Sequence, residues 1–134
     1  MSNYRMKSKE NLSAADLLIR NNCNTSSVHC SYYAGFQYSK YVLANYCNIN
    51  YEDQEQQSKG RDSHFFVCQQ IGKNIDNKGK HLNFIDYNRY YNKLKMLRKK
   101  ADYSENIINS DEATKALIYA NDLIKILNNT FQIL

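Results

Sequence analysis

Three residues near the end of a long apolar-patterned segment could do chemistry together: Arg98, Asp102 and Tyr103. Arg98 and Asp102 are four apart, so on a helix they share a face and can pair. A guanidinium so placed can hold a phosphate, and Tyr103 could add a hydroxyl or a stacking surface. The competing reading is an internal ion pair that fixes the fold, with Tyr103 packed below it. His64 could join them if its helix packs beside theirs; otherwise it bonds backbone or solvent at a helix start. His29 precedes Tyr32-Tyr33 and could face the same cleft, although a partly buried structural role explains it too. Neighbours on a helix point about 100° apart, so one of Tyr32 and Tyr33 belongs to the core and the other can line a groove.

Residues 89–100 carry Arg89, Lys93, Lys95, Arg98, Lys99 and Lys100 with no acid among them, and Tyr90 and Tyr91 lie within the strip. Basic groups interleaved with aromatic rings suit a nucleic-acid backbone and its bases. An ordinary solvated helix face is the alternative. The whole chain has a net charge of +5, so this one strip accounts for its basic character. That favours acidic partners, nucleic acid foremost.

The elements that must position these groups read as helices throughout. The first is expected over 11–22, leaving 1–10 as a segment that need not be ordered. The second starts after Thr25-Ser26 and runs to about Tyr46, with Val28, Tyr32, Phe36, Val42 and Leu43 on one broad face. Ala34 and Gly35 are small enough to admit another helix. Residues 47–62 read as a long polar surface linker. A third helix follows Asp62 or Ser63, weakens at Gly72 and ends at an Asn77–Lys80 turn. The fourth covers about 83–104, with Phe84, Tyr87, Tyr91, Leu94, Leu97 and Ala101 at helical spacing. Ser110 caps the fifth, whose Asp111 and Glu112 complement the helix dipole and whose apolar pattern continues to Phe131. The expected fold is therefore all-α: one domain over 1–134, an antiparallel bundle of about five helices.

Composition bounds the rest. A chain of 134 residues can bury a core, and 43% hydrophobic with 23% charged residues is globular. No window reaches the length of a membrane span, and no apolar segment follows the charged N-terminus, so a cytoplasmic protein without membrane association is expected. Cys23, Cys30, Cys47 and Cys68 lack paired zinc-type spacing and read as reduced, mostly core residues, with no metal or cofactor expected. The 18 Asn and 12 Tyr fit an AT-rich coding sequence, which discounts their enrichment as a functional signal.

Three segments occur in an order that resembles a known family. These are His29-Cys30-Ser31-Tyr32-Tyr33-Ala34-Gly35-Phe36, then Ser63-His64, then Leu97-Arg98-Lys99-Lys100-Ala101-Asp102-Tyr103, followed by Ser110-Asp111-Glu112-Ala113. They resemble the YYA-x-F, S/T-H and R-x-x-A-D-Y elements of small HEPN-domain proteins, over roughly 11–132. The resemblance implies a bundle of four or five helices that usually dimerises. It also implies a role in a toxin–antitoxin or defence-like system, often beside a minimal nucleotidyltransferase partner. Family nucleases use R-x4-6-H; here the positions five and six beyond Arg98 are Tyr103 and Ser104, and no histidine follows His81. Tyrosine, with a reference pKa of about 10, is a poor proton shuttle near neutrality. The expectation is thus an RNA- or nucleotide-binding homodimer with an incomplete nuclease motif, catalysis being left open. Two other readings stand beside it: a non-catalytic module that pairs with a nucleotidyltransferase, and a binder of a small nucleotide.

Overall fold

A computed structural model describes residues 3–134, and among these every regular element is a helix. Six form: α1 (Tyr4–Arg20), α2 (Asn24–Tyr46), α3 (Tyr51–Gln57), α4 (Ser63–Asn77), α5 (His81–Tyr103) and α6 (Ser110–Phe131). The all-α bundle holds, with one helix more than expected. No helix among the described residues is long and apolar enough to cross a membrane.

Helix α2 is the hub, packed against α1, α4, α5 and α6. Its pairings give the directions. Tyr32, Tyr33 and Ser39 meet Tyr91, Arg98 and Tyr87 in that order, so α2 and α5 run antiparallel. Gly35 and Tyr38 meet Leu123 and Asn128, so α6 runs parallel to α2. A Cβ added at Gly35 would lie 3.6 Å from Leu94 and 3.7 Å from Leu123, ordinary contact distances that mark a close approach of three helices. Val28, Val42, Leu43, Ile71, Ile75, Leu94, Leu123 and Leu127 fill the centre. At about 25 cal/mol per Å² of buried apolar surface, this cluster is the main source of cohesion.

Several sequence expectations need correction. The segment 1–10 is helical from Tyr4, because Ser8 is fully buried and its hydroxyl donates to the Ala34 carbonyl at 2.7 Å. Arg5 adds a bond to the Leu134 carbonyl at 2.7 Å. Met1 and Ser2 lie outside the described residues. Within 47–62 the chain forms α3: Asn50 caps it by accepting the Asp53 amide at 2.8 Å, and Glu52 and Asp53 complement its N-terminus. What pins this polar helix is Gln54, only 2% exposed, whose amide donates to the Lys40 and Ile49 carbonyls at 3.0 and 2.9 Å.

Helix α4 runs through Gly72 to Asn77, where its end was expected; Gly72 lets the Phe84 ring of α5 sit where a Cβ would be 2.7 Å away. The turn beyond is as expected, with Gly79 in the left-handed region at φ +73°. Asn109, not Ser110, caps α6, in a reciprocal capping box with Glu112.

Candidate functional site

Helices α2, α4 and α5 bring together six of the residues singled out from sequence: Arg98, Asp102, Tyr32, Tyr33, His64 and His29. Arg98, on the last turns of α5, lies across α2 with its Cζ 4.8 Å from the Tyr32 ring centre and 5.6 Å from that of Tyr33. Both distances are within cation–π range. Its Nη2 donates to the Tyr33 hydroxyl at 3.5 Å, a long bond. The Arg98 side chain is 19% exposed, and Asp102 Oδ2 stands 3.3 Å from its Nε. That nitrogen is sealed from solvent but its N–H is not aligned on the oxygen, so the contact is an ion pair rather than a hydrogen bond. Burial opposes the Arg98 charge, yet the Tyr33, Tyr32 and Tyr103 oxygens and Asp102 outweigh it and raise its pKa further. The guanidinium is a permanent cation with one edge held and its terminal nitrogens largely free.

His64 arrives from the first turn of α4. Asp62 caps that helix, accepting the His64 amide at 2.9 Å, and so fixes where the ring departs. The imidazole stacks on Phe36 at 3.9 Å and 9°, and Tyr33 meets it edge-on at 5.7 Å. Its Nδ1 lies 2.7 Å from the Tyr32 hydroxyl. Burial is the main cause lowering its pKa below the usual histidine value, and Arg98, Lys40 and Lys95 push the same way against Asp62. His64 is therefore a neutral imidazole at pH 7.

His29 completes the rim. Its Nδ1 is 3.3 Å from Asp102 Oδ2, the oxygen that also faces Arg98, and its ring lies 4.6 Å from Tyr33. Asp102 thus bridges a cation on α5 and an imidazole on α2. The sequence offered His29 either for this site or for a partly buried structural role; its ring is about half exposed and lies at the site's edge.

Other site expectations fare differently. Tyr32 is 1% exposed, so its ring supports Arg98 from below and cannot stack on a base; of the two tyrosines, Tyr33 lines the groove. Tyr103 does not pack beneath the ion pair: it is 74% exposed, because one step beyond Asp102 turns it out of the cleft. The basic strip is not one surface. Arg89 pairs with Asp86 at 3.1 Å, Lys93 lies over the Tyr119 ring and Lys100 pairs with Glu112 at 2.6 Å, all on the α6 side. Lys95 faces α4 instead, where it lines a cavity of about 440 Å³ with Phe65, Cys68, Lys73 and Phe84. Lys99 projects into solvent between the two groups. Twelve residues make more than three helical turns, which distributes six charges around the axis. Neither that cavity nor a second of about 590 Å³, between Lys40, Tyr51 and Ser63, contains Arg98. The Arg98 cluster lies outside both, although Tyr91 walls the first and Phe36 the second.

The four cysteines carry no disulfide; Cys23 is exposed and the others half-buried, less deep than the sequence implied. Burial pushes the Cys68 thiol up to about 12 and that of Cys47 to about 11, so both stay protonated and unreactive.

What fold and site define is an all-α bundle with a partly buried arginine set among aromatic rings at the meeting of three helices. A comparison with known protein families, curated proteins and solved structures finds no match.

Proposed function

We propose that the Arg98 cleft binds the phosphate of an RNA or nucleotide, and that the chain is the RNA- or nucleotide-binding, homodimeric component of a HEPN-type toxin–antitoxin or defence-like system. One observation carries the binding reading: Arg98 is oriented by Asp102 and two tyrosine rings while its terminal nitrogens stay largely unpaired. A guanidinium held for structure alone would have its fork occupied; one left open matches the paired oxygens of a phosphate. Tyr33 and His29 beside it offer rings against which a base can lie. The system-level part rests on the ordered motifs at Tyr32-Tyr33-Ala34, Ser63-His64 and Arg98 to Tyr103. The test is binding of a fluorescent single-stranded RNA at low salt. Arg98→Ala is expected to weaken it about tenfold or more, as loss of a charge-assisted contact implies; unchanged affinity contradicts the assignment. Light scattering on the purified protein tests the dimer.

A protein-interaction reading has its own support. Leu82, Ile85 and Met96 are exposed on α5, on the same side of the helix as Arg89 and Lys93. Co-purification with a nucleotidyltransferase encoded beside it, abolished by Leu82→Asp with Met96→Asp, would favour that reading over RNA binding.

A further inference from the structure

The hydroxyl and imidazole groups behind Arg98 form a chain in which every proton can be placed. The Tyr91 hydroxyl lies 3.0 Å from the His64 carbonyl oxygen, which can only accept, so Tyr91 is the donor. Its single proton is then committed, and the 3.1 Å contact between the Tyr91 and Tyr32 hydroxyls must be made by the proton of Tyr32. That commits Tyr32 in turn. The 2.7 Å contact between the Tyr32 oxygen and His64 Nδ1 needs a proton, and only Nδ1–H can supply it. The reverse assignment, Tyr32 donating to Nδ1, leaves the Tyr32 and Tyr91 oxygens facing each other with no proton between them. Burial raises the pKa of both phenols, so neither loses its proton near neutrality.

The other ring nitrogen, Nε2, makes no hydrogen bond to a described residue and is not among the unpaired atoms sealed from solvent. His64 and Arg98 meet the same two rings: Arg98 lies over Tyr32 and Tyr33, and His64 packs against both.

We infer that Tyr91 and Tyr32 lock His64 as the Nδ1–H tautomer, so that its bare Nε2 accepts a hydrogen bond from a ribose hydroxyl whose adjacent phosphate Arg98 holds. The cleft then selects ribonucleotide over deoxyribonucleotide, because only the 2′-hydroxyl brings a donor to that position. Tyr91 and Tyr32 act through His64 and are positioning residues. The inference rests on phosphate binding at Arg98 and sharpens it to a ligand class.

Two measurements on the full chain test it. The first is the tautomer of His64, read at neutral pH from two-bond proton–nitrogen correlations in histidine-labelled protein and assigned by the signal that disappears in His64→Gln. Wild type is expected to carry its proton on Nδ1. In Tyr91→Phe the Tyr32 hydroxyl loses its acceptor, turns to Nδ1 and drives the proton to Nε2. An Nε2–H wild type overturns the inference, and so does a folded Tyr91→Phe that keeps Nδ1–H. Should Tyr91→Phe not fold, Tyr32→Phe serves: without a phenol oxygen to accept from Nδ1–H, the fixed tautomer gives way to a mixture, and an unchanged ring contradicts the chain.

The second measurement compares RNA and DNA oligonucleotides of one sequence. Wild type is expected to prefer RNA about tenfold, the effect of one hydrogen bond. His64→Phe should lose that preference, RNA and DNA then binding alike, and an RNA preference that survives in the folded variant contradicts the inference. Equal binding of RNA and DNA by wild type refutes the ribose inference but leaves phosphate binding at Arg98 intact. Binding of neither removes the reading beneath it.

Discussion

Arg98 Nε and Asp102 Oδ2 stand 3.3 Å apart, one helical turn from each other on α5, and the same Asp102 oxygen lies 3.3 Å from His29 Nδ1 on α2. A pair within one helix adds little to stability; one that also ties two helices adds more. The geometry gives Asp102 a double task, orienting the Arg98 guanidinium and joining the end of α5 to the start of α2.

Asp102→Asn should therefore lower stability by about 1 kcal/mol, a modest figure because both side chains of the pair keep some exposure to solvent. The check is a double-mutant cycle with Arg98→Ala in urea unfolding. A coupling energy of about 0.5 to 1 kcal/mol is expected, and additive effects would show that the pair is incidental.

Protonation of His64 should couple to folding. Its folded pKa lies below the unfolded value of about 6.5, so at low pH the unfolded chain binds the proton more readily. Above the unfolded pKa both states are neutral and the site contributes no slope. As pH falls through and below that value, stability is lost. Urea midpoints measured between about pH 7.5 and 5 should decline in wild type, and less steeply in His64→Gln. Glu112, whose pKa its Lys100 hydrogen bond lowers, loses its contribution only at more acid pH and does not confuse this window.

Gly72 offers a packing test whose sign depends on a neighbour. Alanine normally favours a helix over glycine by about 0.5 to 1 kcal/mol. Here its Cβ would fall 2.7 Å from Phe84 Cε1, and relieving such overlap costs about 1 to 3 kcal/mol. Gly72→Ala should destabilise the protein, and the same change in a Phe84→Ala background should stabilise it. Thermal unfolding of the four variants decides the matter.

The dispersed strip predicts unequal roles for its basic residues. Arg89→Gln and Lys93→Gln, on the α6 side and engaged by Asp86 and the Tyr119 ring, should change RNA affinity no more than about twofold. Neutralising one phosphate-binding cation reduces the salt slope by roughly one unit, so Arg98→Ala should flatten it and Arg89→Gln should not. Equal flattening by both would restore the strip as a continuous surface.

Much of the fold was legible in the sequence wherever apolar periodicity governs. The helices carrying Val28, Tyr32 and Leu43, or Leu94 and Leu97, follow from spacing alone, and so does the sharing of a face by Arg98 and Asp102. Helix α3 was hidden because its anchor is Gln54, a polar side chain buried by two backbone bonds rather than by apolar packing. The N-terminal turns of α1 were missed for the same reason, their anchors being Ser8 and Arg5. In the cleft, one-dimensional spacing gave Arg98 its neighbour but not its support. That Tyr91 backs Tyr32 and His64 depends on the packing of α2, α4 and α5, which no local signal encodes. The charge run misled for the opposite reason, since sequence proximity is not surface proximity once a helix turns.

Everything proposed for the cleft depends on Arg98 being a phosphate-binding group rather than a structural cation. The most direct test is the affinity of wild type and Arg98→Ala for one short single-stranded RNA, at low salt, with both proteins confirmed folded by circular dichroism. Phosphate binding at Arg98 predicts about tenfold or greater weakening in the variant, narrowing as salt is raised. Equal affinity of the two folded proteins would contradict it.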